Sequence, residues 1–341
     1  MPPTFQDSGK YAAIHASPKG AGDARPTAHA ILQDEHVIGA LADKTILLTG
    51  GSSGIGVEEV RALAATGAKV VFTSRDLAKG HGVRDDIVAH WKEQGVQPRI
   101  EVIQCDLQSL ASVKRAAEEF KKDDDKLNVL VNNAGIAMTP FKLTQDGFEQ
   151  QFAVNHLAHF LLFQLLKPLL LAASTPTFSS RVVNVASSAH HMGSVKVGNY
   201  SFEQGGYDAF AGYASSKTCN IWMSNELERR YGSQGLHSTS VHPGGIMTGL
   251  LNSHDEQVRP QENIQRAMKS VEQGAASVVL AAIGKEYEGV GGFYMEDCGV
   301  SAALPENAQF GEPGYKPWAY DEEGERRLWL DSLEMLKLND D

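Results

Sequence analysis

The chain has 341 residues, 42% of them apolar, enough to bury one large core. Its 31 Lys and Arg against 42 Asp and Glu leave a formal charge of -11, which argues against nucleic acid or an anionic membrane as a general partner. Cys105, Cys219 and Cys298 are too few and too scattered for a disulfide framework or a metal site, so a reducing, cytoplasmic setting is expected, with no metal.

No stretch reaches the roughly 18 apolar residues of a membrane span, and the start of the chain lacks the apolar region of a signal peptide. A soluble protein is expected. Residues 1–40 carry Pro2, Pro3, Pro18 and Pro26 among Gly, Ser and Ala. That composition reads as an N-terminal extension, a loosely docked arm with a short helix around Ala30 to Ala40.

From Lys44 the pattern changes. Thr45 to Thr49 is a buried-strand run that ends directly in Gly-Gly-Ser-Ser-Gly-Ile-Gly, and Val57 to Thr66 reads as a helix stopped by Gly67. Further apolar runs follow at Lys69 to Ser74, Arg99 to Cys105, Leu127 to Asn132, Arg181 to Ala186 and His237 to His242, with helical periodicity between them. Gly291 to Met295 could add one more strand. Glu322 to Leu338 reads as an amphipathic helix with Trp329, Leu333 and Leu336 on one stripe. Short strands alternating with helices specify an α/β fold, a single doubly wound Rossmann domain over 41–341 whose parallel sheet is flanked by helices.

Two groups of residues carry the chemistry. Gly50, Ser52, Ser53, Gly54, Ile55 and Gly56 fall where a strand gives way to a helix, so the backbone can approach a pyrophosphate while the helix N-terminus faces its charge. Tyr213 and Lys217 stand one helical turn apart, which places an ammonium beside a phenol. The phenolate is then favoured, so a pKa that starts near about 10 is expected to fall and the tyrosine to serve as a general acid/base. At the end of the second strand come Ser74 and Arg75, where an arginine would pair with the extra phosphate of NADP. Asp76 is expected to begin the next helix. NADP(H) is the expected cofactor; Arg75 as a solvated surface charge is the plainer alternative.

These motifs, with Asn-Asn-Ala-Gly at 132–135, Asn155 in Val-Asn-His and Ser187 after Asn-Val-Ala, resemble the short-chain dehydrogenase/reductase family over about residues 41–250. The Gly-Gly-Phe-Tyr-Met-Glu-Asp-Cys and Arg-Leu-Trp segments are similar to the C-terminal part of its retinol-dehydrogenase-like branch. The resemblance implies that Tyr213 is the proton donor or acceptor, that Lys217 lowers its pKa and holds the nicotinamide ribose, that Ser187 bonds the substrate oxygen and that Asn155 anchors a water. It implies that Asp106 and Leu107 meet the adenine, that Asn133, Ala134 and Gly135 line the cofactor, and that Pro243, Gly244, Ile246 and Thr248 surround the carboxamide and phosphates. Ser187 precedes Tyr213 by 26 positions, roughly double the gap of compact members. The inserted Tyr200, Phe202, Tyr207 and Phe210 are expected to form a mobile aromatic rim over the site, with an ordinary surface loop as the alternative.

His156 with His159, and His190 with His191, lack carboxylate or cysteine partners at ligand spacing and are expected to be packing or surface residues. The run from Leu161 to Leu171, interrupted by Pro168, reads as a buried helix that could also serve a homodimer contact. The expected activity is interconversion of a carbonyl and an alcohol on a small to medium apolar substrate. Two other readings stand beside it: a catalytically silent dinucleotide-binding regulator acting through the arm or the insertion, and an enzyme of the same family catalysing elimination or isomerisation.

Overall fold

The computed structural model describes residues 4–247, 262–308 and 311–340. The arm holds α1 (Ala12–His15) and α2 (Ala28–Asp34), the latter started by Thr27, whose hydroxyl accepts the Ala30 N–H at 3.2 Å. Then come β1 (Thr45–Leu48), α3 (Ile55–Ala65), β2 (Lys69–Ser74), α4 (Leu77–Glu93), β3 (Arg99–Gln104), α5 (Leu110–Asp123) and β4 (Val129–Asn132). Asp76 caps α4 by accepting the Lys79 N–H at 3.1 Å. A short α6 (Gln150–Phe152) passes through a π-helical stretch, Ala153–Leu157, into α7 (Ala158–Ala173). The chain closes with β5 (Ser180–Val185), α8 (Ala209–Tyr231), β6 (Leu236–Val241), α9 (Glu262–Ala267), α10 (Val271–Ile283), β7 (Tyr294–Glu296), β8 (Gly299–Val300) and α11 (Glu322–Leu336).

The eight strands form one sheet in the order β3-β2-β1-β4-β5-β6-β7-β8, parallel up to β7, with β8 antiparallel at the edge. Successive side chains of a strand point to opposite faces, and the two cores follow that alternation. Ile46, Leu48, Val70, Val129 and Val183 meet α2, α3 and α10 on one face. Leu47, Val71, Leu130 and Val182 meet α5, α7, α8 and α11 on the other. Trp329 of α11 locks this second layer, its ring edge-on to Phe160 at 4.8 Å.

Pro168 does not interrupt α7. It lies on the exposed side of the helix. Gln150–Ala173 is long and apolar enough to cross a membrane, yet most of it is buried against the sheet as a core helix. The arm is held more firmly than its composition suggests. Phe5 stacks on Phe293 at 5.3 Å, and Asp7 accepts from the Tyr287 hydroxyl at 2.9 Å and from the Val300 N–H at 2.6 Å.

Candidate active site

Strand order reverses between β1 and β4, and a ligand crevice opens beyond the carboxyl ends of strands at such a point. The glycine turn leaves β1 there. Gly54 precedes α3 at φ +58°, a conformation costly for a side-chain-bearing residue, and no side chain caps the helix. The first-turn N–H groups of α3 therefore have no capping oxygen from Gly54. A Cβ on Gly56 would lie 2.4 Å from the Gly50 carbonyl oxygen, so the turn closes on itself only with glycine at 56. Ser52 accepts from the Ser74 hydroxyl at 2.9 Å, which ties the turn to the end of β2, while Ser53 is exposed.

Arg75 follows, exposed, with no partner for its guanidinium among the described residues. Asp106 lies just past β3; its carboxylate accepts the Gln108 N–H at 3.0 Å and its own N–H goes to the Ser112 hydroxyl at 3.0 Å. Leu107 buries its side chain in the second core, leaving its main chain for any ligand. These elements together offer an uncapped helix end, a close backbone approach and a free cation, a donor set suited to a dinucleotide diphosphate and an added phosphate.

Across the crevice, Asn133 donates its side-chain amide to the Thr49 carbonyl at 2.9 Å. The N–H groups of Asn133 and Ala134 both reach the Thr49 hydroxyl, at 3.0 and 3.1 Å. Thr49 thus pins β1 to the loop after β4. Gly135 faces the interior: a Cβ there would be 3.2 Å from Asn155 Oδ1 and 3.4 Å from Lys217 Nζ.

Asn155 sits in the π-helical stretch and is fully buried. Its side chain accepts the Ile136 N–H at 2.9 Å and donates to the Ile136 carbonyl and the Ser216 hydroxyl, each at 2.9 Å. A widened helical turn at a functional position is a recurrent device for re-aiming one side chain. Lys217 donates to the Val185 carbonyl at 2.8 Å, using one of its three N–H bonds, and burial pushes its pKa down to about 8.

Tyr213 is 9% exposed, with the Lys217 ammonium 5.8 Å from its ring centre and Ser187 hydrogen-bonded to its phenol. The expected fall in its pKa is not found. Burial raises it, and the Ser187 bond only partly offsets that, because the lysine's bond goes to a carbonyl rather than to the phenol oxygen. Ser187 itself accepts the Ala189 N–H at 3.1 Å, which leaves its hydroxyl proton to donate.

The turn after β6 supplies the last wall. Lys269 crosses it, donating from its backbone to the Gly245 carbonyl at 2.8 Å and from its ammonium to the Pro243 carbonyl at 3.3 Å. Gly244 beneath it takes φ +109°. Ile246 is buried; Thr248 lies outside the described residues.

The inserted aromatics do not act as one rim. Tyr200 turns inward, stacked on Phe152 at 5.1 Å with its hydroxyl on Asp331 at 2.7 Å. Tyr207 is anchored to the Thr139 carbonyl at 2.7 Å and gathers Phe202 and Phe141 at 5.0 and 5.1 Å. Phe141, 51% exposed, was not visible as part of this cluster in the sequence.

His156, His159 and His190 are buried packing residues, in line with the packing reading of the sequence. His190 hydrogen-bonds the Ser187 carbonyl through Nδ1 at 2.7 Å, and its own carbonyl accepts from Trp318 Nε1 at 2.8 Å. His156 meets the Ser332 hydroxyl at 2.9 Å. Thr49 was missed as well. A hydroxyl directly before the glycine turn was the signal available for it.

The family model for short chain dehydrogenase matches residues 44–259. The short-chain dehydrogenase/reductase prx1 of Penicillium rubens is 48% identical over 337 residues, covering 98% of this chain and 96% of that protein. Among solved structures, an uncharacterised protein from Mycobacterium paratuberculosis aligns with TM-score 0.63 at 29% identity, covering 87% of this chain and 94% of its own. A blue fluorescent protein from a metagenomic library, solved in complex with NADPH, aligns with TM-score 0.55 at 27% identity, covering 74% and 95%.

Proposed function

The chain belongs to the short-chain dehydrogenase/reductase family, and as an oxidoreductase of that family we propose that it uses NADP(H) to interconvert a carbonyl and an alcohol on a small to medium apolar substrate. The observation that carries this reading is a chain of contacts at the reversal of strand order: Asn155 and Lys217 meet at Gly135, Lys217 stands beside the Tyr213 ring, and Ser187 bonds the Tyr213 phenol. The choice of NADP rests on the free guanidinium of Arg75 and on the NADPH held by a structural neighbour.

When bound, the dinucleotide supplies the hydride that reduces the carbonyl carbon by two electrons. The protein does the rest. Ser187 turns its hydroxyl proton, which otherwise serves the Tyr213 phenol, to the substrate oxygen, polarising it where charge develops. Tyr213 gives up its phenolic proton to that oxygen, so the product leaves as a neutral alcohol. The phenol holds its proton at neutral pH, and an alkoxide forming beside it is the stronger base that takes it. Lys217 then stabilises the resulting phenolate by its positive charge across a desolvated gap. Asn155 keeps the loop after β4 and the helix bearing Tyr213 in register through Ile136 and Ser216.

The test is a paired titration with NADPH and NADH followed by a panel of apolar aldehydes and ketones, read by NADPH absorbance and by product. Alcohol formed in step with NADPH consumed supports the reading. Cofactor binding without consumption across the panel would favour a silent binder, and product without net consumption would favour isomerisation or elimination.

A further inference from the structure

We propose that the N-terminal arm positions the walls of the dinucleotide crevice, acting through Arg25; this rests on the dinucleotide reading above. Arg25 is 5% exposed. Its Nε donates to Asp23 at 2.8 Å and one terminal nitrogen to the Gly20 carbonyl at 3.1 Å, closing the arm's own turn. Its other bonds leave the arm and hold the carbonyls of Ala267 at 2.9 Å and Met268 at 2.5 Å. A planar guanidinium can serve several acceptors at once, and lysine cannot copy that geometry.

Gln273 on α10 grips the same turn. Its amide nitrogen donates to the carbonyls of Asp23 and Arg25 at 3.0 and 3.1 Å, and its oxygen accepts the Gly22 N–H at 2.9 Å. The same oxygen accepts the Ser270 N–H at 2.9 Å, so the start of α10 and the arm share one side chain.

What these contacts hold is the crevice itself. Lys269 follows Met268 directly and crosses the Pro243 to Gly245 turn, with its ammonium 2.7 Å from Asp297. His15 of the arm stands 4.0 Å from that carboxylate. A Cβ on Gly274, the neighbour of Gln273, would lie 2.7 Å from Ile246 and 3.0 Å from Ile55. The turn after β6 and the phosphate turn thus meet on the end of α10 that the arm clamps from outside. The arm precedes residue 44, where the family match begins, so this support comes from outside the shared domain.

The experiment measures binding rather than turnover, using Arg25→Ala and Arg25→Lys with unliganded melting curves alongside. NADPH and NADH are both expected to bind about five- to thirty-fold more weakly to Arg25→Ala, with a smaller loss in Arg25→Lys. Adenosine 2′-monophosphate, which lacks the 5′-phosphate that would meet the glycine turn, is expected to bind as before. If Arg25→Ala does not fold, Arg25→Lys decides. Variants that bind all three ligands as the unmodified protein does, or that lose all three equally, would overturn the brace. An unmodified protein that binds no dinucleotide would instead overturn the reading beneath it, and the proposal with it.

Discussion

Thr49 and His159 are joined by a hydrogen bond of 2.9 Å between the threonine hydroxyl and Nε2 of the ring. The other ring nitrogen faces the Asn155 carbonyl at 3.1 Å, an acceptor, so Nδ1 carries the proton and Nε2 accepts from Thr49. Burial keeps the ring neutral by lowering its pKa to about 4. One hydroxyl therefore links the glycine turn, the loop after β4 and the helix bearing Asn155. Thr49→Val preserves the shape but strands the N–H groups of Asn133 and Ala134, at roughly 1–3 kcal/mol for each. A melting temperature several degrees lower and weaker NADPH binding are expected; a melt and affinity equal to the unmodified protein would contradict the link.

Arg75 should discriminate between the two dinucleotides. Because its guanidinium is exposed and uncommitted, Arg75→Ala is expected to weaken NADPH binding about ten- to a hundred-fold while leaving NADH nearly unchanged. Equal loss for both cofactors in side-by-side titrations would show that it does not read the extra phosphate.

Glu59 presents a different kind of test. It lies fully buried in α3 with neither carboxyl oxygen hydrogen-bonded, and burial raises its pKa from 4.5 to about 8. The folded protein then keeps a proton that the unfolded chain has released, from the ordinary carboxylate value up to about 8, so stability falls as pH rises through that window. Above it the penalty is complete, on the order of several kcal/mol. Glu59→Met removes the ionisable group at similar length. Its gain in melting temperature should be larger at pH 8 than at pH 5, and a gain independent of pH would contradict the assignment.

Much of this was legible in the sequence. The runs at Thr45 and Lys69 became β1 and β2 because buried parallel strands are nearly continuous apolar stretches, while the run at Arg99 became the edge strand β3, where polar and apolar residues alternate. Trp329, Leu333 and Leu336 fell on the buried face of α11 for the same reason of periodicity. Contacts between distant segments were not legible. Nothing local marks Arg25 as buried, since its acceptors at Ala267 and Met268 lie more than two hundred residues away. The π-helical turn at Asn155 leaves no trace in composition either. The tyrosine's pKa was misjudged for a related cause: spacing put Lys217 beside Tyr213, but only the fold reveals that the ammonium bonds the Val185 carbonyl rather than the phenol oxygen and that the phenol is desolvated.

The central claim is that Tyr213 supplies the proton for carbonyl reduction, and replacing it by phenylalanine tests this with the least disturbance. NADPH consumption on an accepted carbonyl substrate would be measured for the unmodified protein and for Tyr213→Phe, with NADPH fluorescence titrated on both. The account predicts a fall in turnover of about two orders of magnitude or more with cofactor affinity largely intact. Turnover by Tyr213→Phe at the unmodified rate would contradict it.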